Sequence, residues 1–275
     1  MWQGRLERCG VSDAARTPTR ILRASGTPPA HVGASGHAHA AHHAALQHQF
    51  DSLSQQKEAA ILGMWAFLLT EILFFGGLFM AYMLYRTWYH DAFVIASTSI
   101  TIGWGLLNTI VLIGSSLTMA LAVRAAQTNK RKPTVNWLIL TMVLGMVFLG
   151  VKVIEYADKF EHHHVPGPDF VFMDPAHPPT YDIGPHGKEI LSRNSPEELN
   201  RTTQIFFSLY FTMTGLHALH MIIGVGLMCV ITWMAWKGKF SSEWYTPVEM
   251  SGLYWHFVDI VWIYLFPLLY LIDRS

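Results

Sequence analysis

The sequence predicts an all-α membrane protein, a polytopic bundle of five transmembrane helices. Three observations carry this. Five separate apolar stretches are each long enough to cross a hydrocarbon core of about 30 Å as a helix. Hydrophobic residues make up 51% of the chain and charged ones only 14%, a balance suited to lipid as solvent. Lysines and arginines gather in the links between the apolar stretches rather than within them. The formal net charge is zero, so no basic excess marks a nucleic-acid partner. The two cysteines, Cys9 in a polar arm and Cys229 in an apolar helix expected to be buried, suit neither a disulfide framework nor a cysteine metal site.

Residues 1–56 are polar and rich in Ala, Gly, Pro, Ser and His, with scattered arginines. They are expected to form a mobile cytoplasmic arm. They contain no apolar targeting segment, so the first spanning helix is expected to direct insertion. For His37, His39, His42, His43 and His48, a solvated low-complexity stretch is favoured over a weak metal site. Residues 57–275 form the membrane domain.

The first spanning helix is expected at about 59–86. Glu71 lies near its centre, where an ionised carboxylate is costly without a partner. Gly76 and Gly77 would let a neighbouring backbone approach closely. A short loop through His90 and Asp91 leads to the second helix, about 101–124. That helix carries Asn108, Thr109, Ser115, Ser116 and Thr118, side chains that bond across helices or back to their own carbonyls. The third helix, about 136–156, places Lys152 and Glu155 three residues apart near its end, close enough to pair. A snorkelling interfacial pair and a contact with a partner subunit or lipid headgroup are equally open here.

Residues 157–202 make the longest loop. It is Pro-rich, with the triplet His162-His163-His164, and is expected to be an irregular docking surface outside the membrane. For the triplet, a solvent-facing run is favoured over a metal site. The fourth helix, about 204–234, holds His217 and His220 three apart in an apolar setting. A haem site would need histidines from facing helices, and only His256 remains within the spans. Polar contacts at a helix or lipid interface are therefore favoured. The fifth helix, about 252–272, carries His256 and Asp259 on one face, with Trp255 and Trp262 seven apart. An anchor with an aromatic belt would not need the His and Asp, so these are expected to face protein, headgroups or a wet cleft.

Five spans put the termini on opposite sides. With the N-terminus inside, inner segments hold twelve Lys and Arg against six in outer ones. The expected topology is a cytoplasmic N-terminus, an outer 157–202 loop and an outer C-terminus.

Several segments together resemble subunit III of haem–copper respiratory oxidases, in its five-helix bacterial form. They are L-G-M-W-A-F-L-L-T-E-I-L-F-F-G-G around Glu71, L-L-N-T-I-V-L-I-G-S-S from Leu106 and I-E-Y at Ile154–Tyr156. T-G-L-H-A-L-H-M-I-I-G from Thr214 and Y-W-H-F-V-D-I-V-W from Tyr254, preceded by Glu249, complete the set in family order. The likeness covers about residues 59–272. It implies an all-helical, non-catalytic subunit without its own metal or redox centre. It flanks subunits I and II, which hold the haems and copper, in the bacterial plasma membrane. Phospholipid held in a cleft and support of proton uptake are implied, and Glu71, His217, His220, Glu249, His256 and Asp259 match the family's polar positions. Cytochrome c is the expected donor. A quinol oxidase or a nitric oxide reductase-associated complex is the alternative, and a proton-coupled transporter a remoter one. Two features depart from the family pattern. A polar arm replaces the two leading helices of the seven-helix form, and Lys152 stands where Gln or Glu is usual. The outer loop also looks unusual and is read as docking a neighbouring electron-donor complex.

Overall fold

The computed structural model describes residues 46–161, 165–167, 170, 172, 184–242 and 244–272. Among the described residues there are seven helices: α1 (Leu53–Trp88), α2 (His90–Thr98), α3 (Ile102–Gln127), α4 (Arg131–Glu161), α5 (Gly184–Arg193), α6 (Pro196–Trp236) and α7 (Thr246–Tyr270). Five of them, α1, α3, α4, α6 and α7, are long and apolar enough to cross a membrane, and the chain is a multi-pass membrane protein.

The helices run longer than hydropathy predicts because capping residues extend them past the apolar windows. Ser52 caps α1 by accepting from the Gln55 amide, and Ser195 caps α6 by accepting from the Glu198 amide with Pro196 in the first turn. Between α3 and α4 the chain reverses over three residues. Asn129 takes the left-handed conformation at φ 56°, which asparagine tolerates better than most residues.

Helix α7 is the axis of the bundle. It packs on α1, α3 and α6, and 56% of its apolar window is buried, against 11% for α1. Trp255 and Trp262 are both fully buried, so they form no aromatic belt on this face of α7, in keeping with the reading against a mere anchor. Trp255 fits a slot where α4 and α6 approach closely. A Cβ at Gly145 would stand 2.8 Å from its ring, and one at Gly224 would stand 3.0 Å away. Helix α1 lies at the edge, touching the rest through Leu68, Phe75 and Tyr82, spaced seven apart on one stripe. Among the described residues outside α1's own backbone, nothing lies within 4 Å of a Cβ added at Gly76 or Gly77, so these glycines make no close approach within the described bundle.

Two helices fall where loops are expected. The stretch after His90 is helix α2, buried from Ala92 to Ser97. The last part of the long loop is α5 and the first turns of α6, with Phe172, Ile190 and Leu199 in the core. Proline density led to an irregular reading, but apolar side chains at these positions pay the ordering entropy by burial. The histidines from His37 to His43 and the triplet His162–His164 lie outside the described residues. Cys229 is exposed rather than buried.

Candidate functional site

The sequence-predicted polar residues do not converge on one pocket. They form separate contacts, each joining different helices. The central one joins α1 to α6: His220 Nε2 lies 3.2 Å from Glu71 Oε2. His220 Nδ1 lies 2.7 Å from the Leu216 carbonyl, which only accepts, so Nδ1 carries a proton. Nε2 then has two choices. It accepts from a protonated Glu71, or, as imidazolium, donates to a Glu71 carboxylate. Either way the pair is neutral overall and shares one proton. Tyr254 donates to the His220 carbonyl at 2.9 Å, and the Phe75 ring packs edge-on against the imidazole.

At the end of the bundle bearing the α3–α4 and α6–α7 links, Lys57 of α1 pairs with Glu249 of α7 at 3.4 Å and donates to the Tyr245 hydroxyl at 3.3 Å. Both partners are partly exposed, so this pair contributes at most about 1 kcal/mol. On the α3–α7 contact, the Ser116 hydroxyl meets His256 Nδ1 at 2.7 Å. Ser115 accepts from Trp255 and Thr109 from Trp262, each at 3.1 Å, while both also bond back to their own helix. Thr118 pairs with Thr141 of α4 at 2.8 Å.

Three buried polar side chains on these helices find no hydrogen-bond partner of good geometry among the described residues: Asn108, His217 and Asp259. His217 sits edge-on to Phe148 and tilted against Trp262. It therefore differs from His220, its neighbour three residues on. Ser116 lies beside Asp259, but its well-formed bond is the one to His256.

Lys152 and Glu155 do pair, at 2.9 Å, but deep in the bundle, at 3% and 5% side-chain exposure. Neither snorkelling nor a headgroup contact describes them. Lys152 also donates to the hydroxyls of Tyr210 and Tyr270 at 3.3 and 3.1 Å, and both tyrosines donate to the other oxygen of Glu155. The four groups satisfy one another across α4, α6 and α7. The two tyrosines lie 55 and 115 residues from Glu155, and no local pattern announces them. Among the described residues, no three His, Cys, Asp or Glu side chains are placed to hold a metal ion.

The family model described as cytochrome c oxidase subunit III matches residues 44–161 and 198–273. A cytochrome c oxidase subunit 3 from Thermostichus vulcanus is 30% identical over 82% of this chain and 92% of its own length. One from Synechocystis is 29% identical over 77% and 75%. A cytochrome bo(3) ubiquinol oxidase subunit 3 from Pseudomonas aeruginosa is 27% identical over 82% and 90%. The family match spans every helix that packs the polar contacts described above, and the chain belongs to the cytochrome c oxidase subunit III family.

Proposed function

We propose that this chain is the non-redox subunit III of a proton-pumping cytochrome c oxidase in a bacterial plasma membrane. Subunits I and II carry the haems and copper, and this chain stabilises the catalytic subunit, holds phospholipid and supports proton uptake. The observation that carries the reading is the Glu71–His220 contact. It supports this reading because it is a polar contact on the sparsely attached helix α1, at the edge of the bundle. A quinol oxidase is the second reading, because relatives from Pseudomonas aeruginosa and Staphylococcus saprophyticus carry that name. A dinuclear copper centre in the copurified subunit II decides for cytochrome c.

The test uses Glu71→Gln and Glu71→Leu in the whole complex. Glu71→Gln keeps the shape and a donor for His220, and the complex assembles with normal haem spectra. Glu71→Leu lowers phospholipid retained per complex and shortens working life under turnover, while the initial rate stays near wild type. Loss of the initial rate in an assembled, lipid-replete Glu71→Leu enzyme would make the supporting role wrong. The outer loop is proposed to dock the electron donor. Replacing residues 173–183 with a Gly/Ser segment of equal length then slows turnover with the native donor alone. Equal loss with an artificial donor refutes docking.

A further inference from the structure

One groove on the bundle surface combines an apolar floor with a cationic rim. It lies between α4 and α6, at the end carrying the α3–α4 and α6–α7 links, and encloses about 400 Å³. Ile139 and Met142 form one wall, and Cys229, Thr232, Trp233 and Trp236 the other. Thr232, the one hydroxyl in the lining, is already directed at the Met142 sulfur, 3.7 Å away. The walls therefore favour an apolar guest. From Cys229 to Trp236 the groove follows two helical turns, about 10 Å. An extended hydrocarbon chain suits a groove with such apolar walls that runs along the helix axes.

The rim is made by the links. Gly238 takes φ +71° after α6, a conformation that suits glycine, and turns the chain against the start of α4. The Arg131 guanidinium sits beside it, 3.4 Å from where a Cβ would stand. Lys237 Nζ lies 3.8 Å from the centre of the Trp233 ring and Lys239 Nζ lies 5.9 Å from it. Among the described residues, no carboxylate forms an ion pair with Arg131, Lys237 or Lys239. Trp233 and Trp236 are both exposed, as tryptophans are at the boundary between headgroups and acyl chains.

We propose that this groove is a binding site for one anionic phospholipid. Its acyl chain lies along Ile139, Met142 and Cys229, and its phosphate headgroup is held by Arg131, Lys237 and Lys239. The site is separate from the Glu71–His220 contact and does not depend on the cleft reading.

Cys229 reports occupancy because it is exposed in the groove. The purified complex is stripped of lipid in detergent and treated with a maleimide, and labelling of the α6 peptide is followed by mass spectrometry. Cys229 reacts in the stripped complex. Phosphatidylglycerol slows the reaction about tenfold at a concentration where phosphatidylcholine of the same chains slows it twofold or less. Inorganic phosphate leaves the rate unchanged. The triple variant Arg131→Gln, Lys237→Gln, Lys239→Gln reduces phosphatidylglycerol protection to the phosphatidylcholine level. The proposal is overturned by equal protection from both lipids, by protection from phosphate alone, or by none. It is also overturned by selectivity that survives in the triple variant, or by an unreactive Cys229 in the stripped complex, which would mean another subunit covers the groove.

Discussion

Lys152 and Glu155 meet at 2.9 Å inside the bundle, and Tyr210 and Tyr270, from two other helices, complete their hydrogen bonding. A buried pair of this kind is weak evidence for stability on its own. Its desolvation cost is large and is offset only because every donor and acceptor is used. Breaking it from one side is a different matter. Lys152→Met leaves Glu155 without its cation, and Glu155→Met leaves Lys152 without its anion. Each single change is expected to cost about 3–5 kcal/mol, and the double change less than the sum. The readout is the temperature at which this subunit dissociates from the purified complex. Strictly additive shifts would mean the pair is not coupled.

Gly145 sits where α4 meets Trp255 of α7. A methyl there would stand 2.8 Å from the indole ring. The ring has little room to yield, since Gly224 borders its other edge and its N–H is bonded to Ser115. Gly145→Ala is expected to destabilise by about 1–3 kcal/mol. Gly150→Ala, on the same helix with nothing within 4 Å, is expected to be neutral or to gain up to about 1 kcal/mol from helix propensity. Trp255→Phe should relieve part of the Gly145→Ala defect. Equal effects at both glycines would contradict the close approach.

The five spans were legible in the sequence because lipid imposes one strong, local constraint: about twenty apolar residues without a break. The Lys152–Glu155 pairing was legible for the same local reason, helical spacing. Its burial was not, because that depends on Tyr210 and Tyr270, which approach only once α6 and α7 are packed. For Glu71 the sequence leaves three partners open, His217, His220 or a lipid headgroup, and does not choose among them. Residues three apart on a helix share a face broadly, and the rotation of α6 against α1 selects one. Helices α2 and α5 were missed because each is short and bordered by turn-forming or Pro-rich sequence. Their helicity comes from docking onto the bundle rather than from a long apolar window.

The Lys and Arg count predicts that the α3–α4 link faces the cytoplasm and the C-terminus the opposite side. A reporter inserted between Arg124 and Pro133 should read as inside, and one fused after Ser275 as outside. Both on one side would contradict the topology expected of five crossings.

His217 and His220 are three residues apart on α6, yet their surroundings predict opposite responses to substitution. His220 uses both ring nitrogens, one on the Leu216 carbonyl and one on Glu71. His220→Leu removes the partner of a carboxyl group held against apolar neighbours, and α1 loses one of its few ties to the bundle. His217 is 1% exposed and bonds to nothing among the described residues, while packing on Phe148 and Trp262. Replacing an unsatisfied buried polar group by an apolar one of similar size is nearly neutral or stabilising. His217→Leu should therefore leave the yield of assembled complex and its thermal dissociation unchanged or slightly improved. His220→Leu should lower both, and the double variant with Glu71→Leu should recover part of the loss, since it removes the stranded carboxyl group. A destabilising His217→Leu would show that the His217 ring is satisfied in the assembled oxidase by an internal water or a neighbouring subunit.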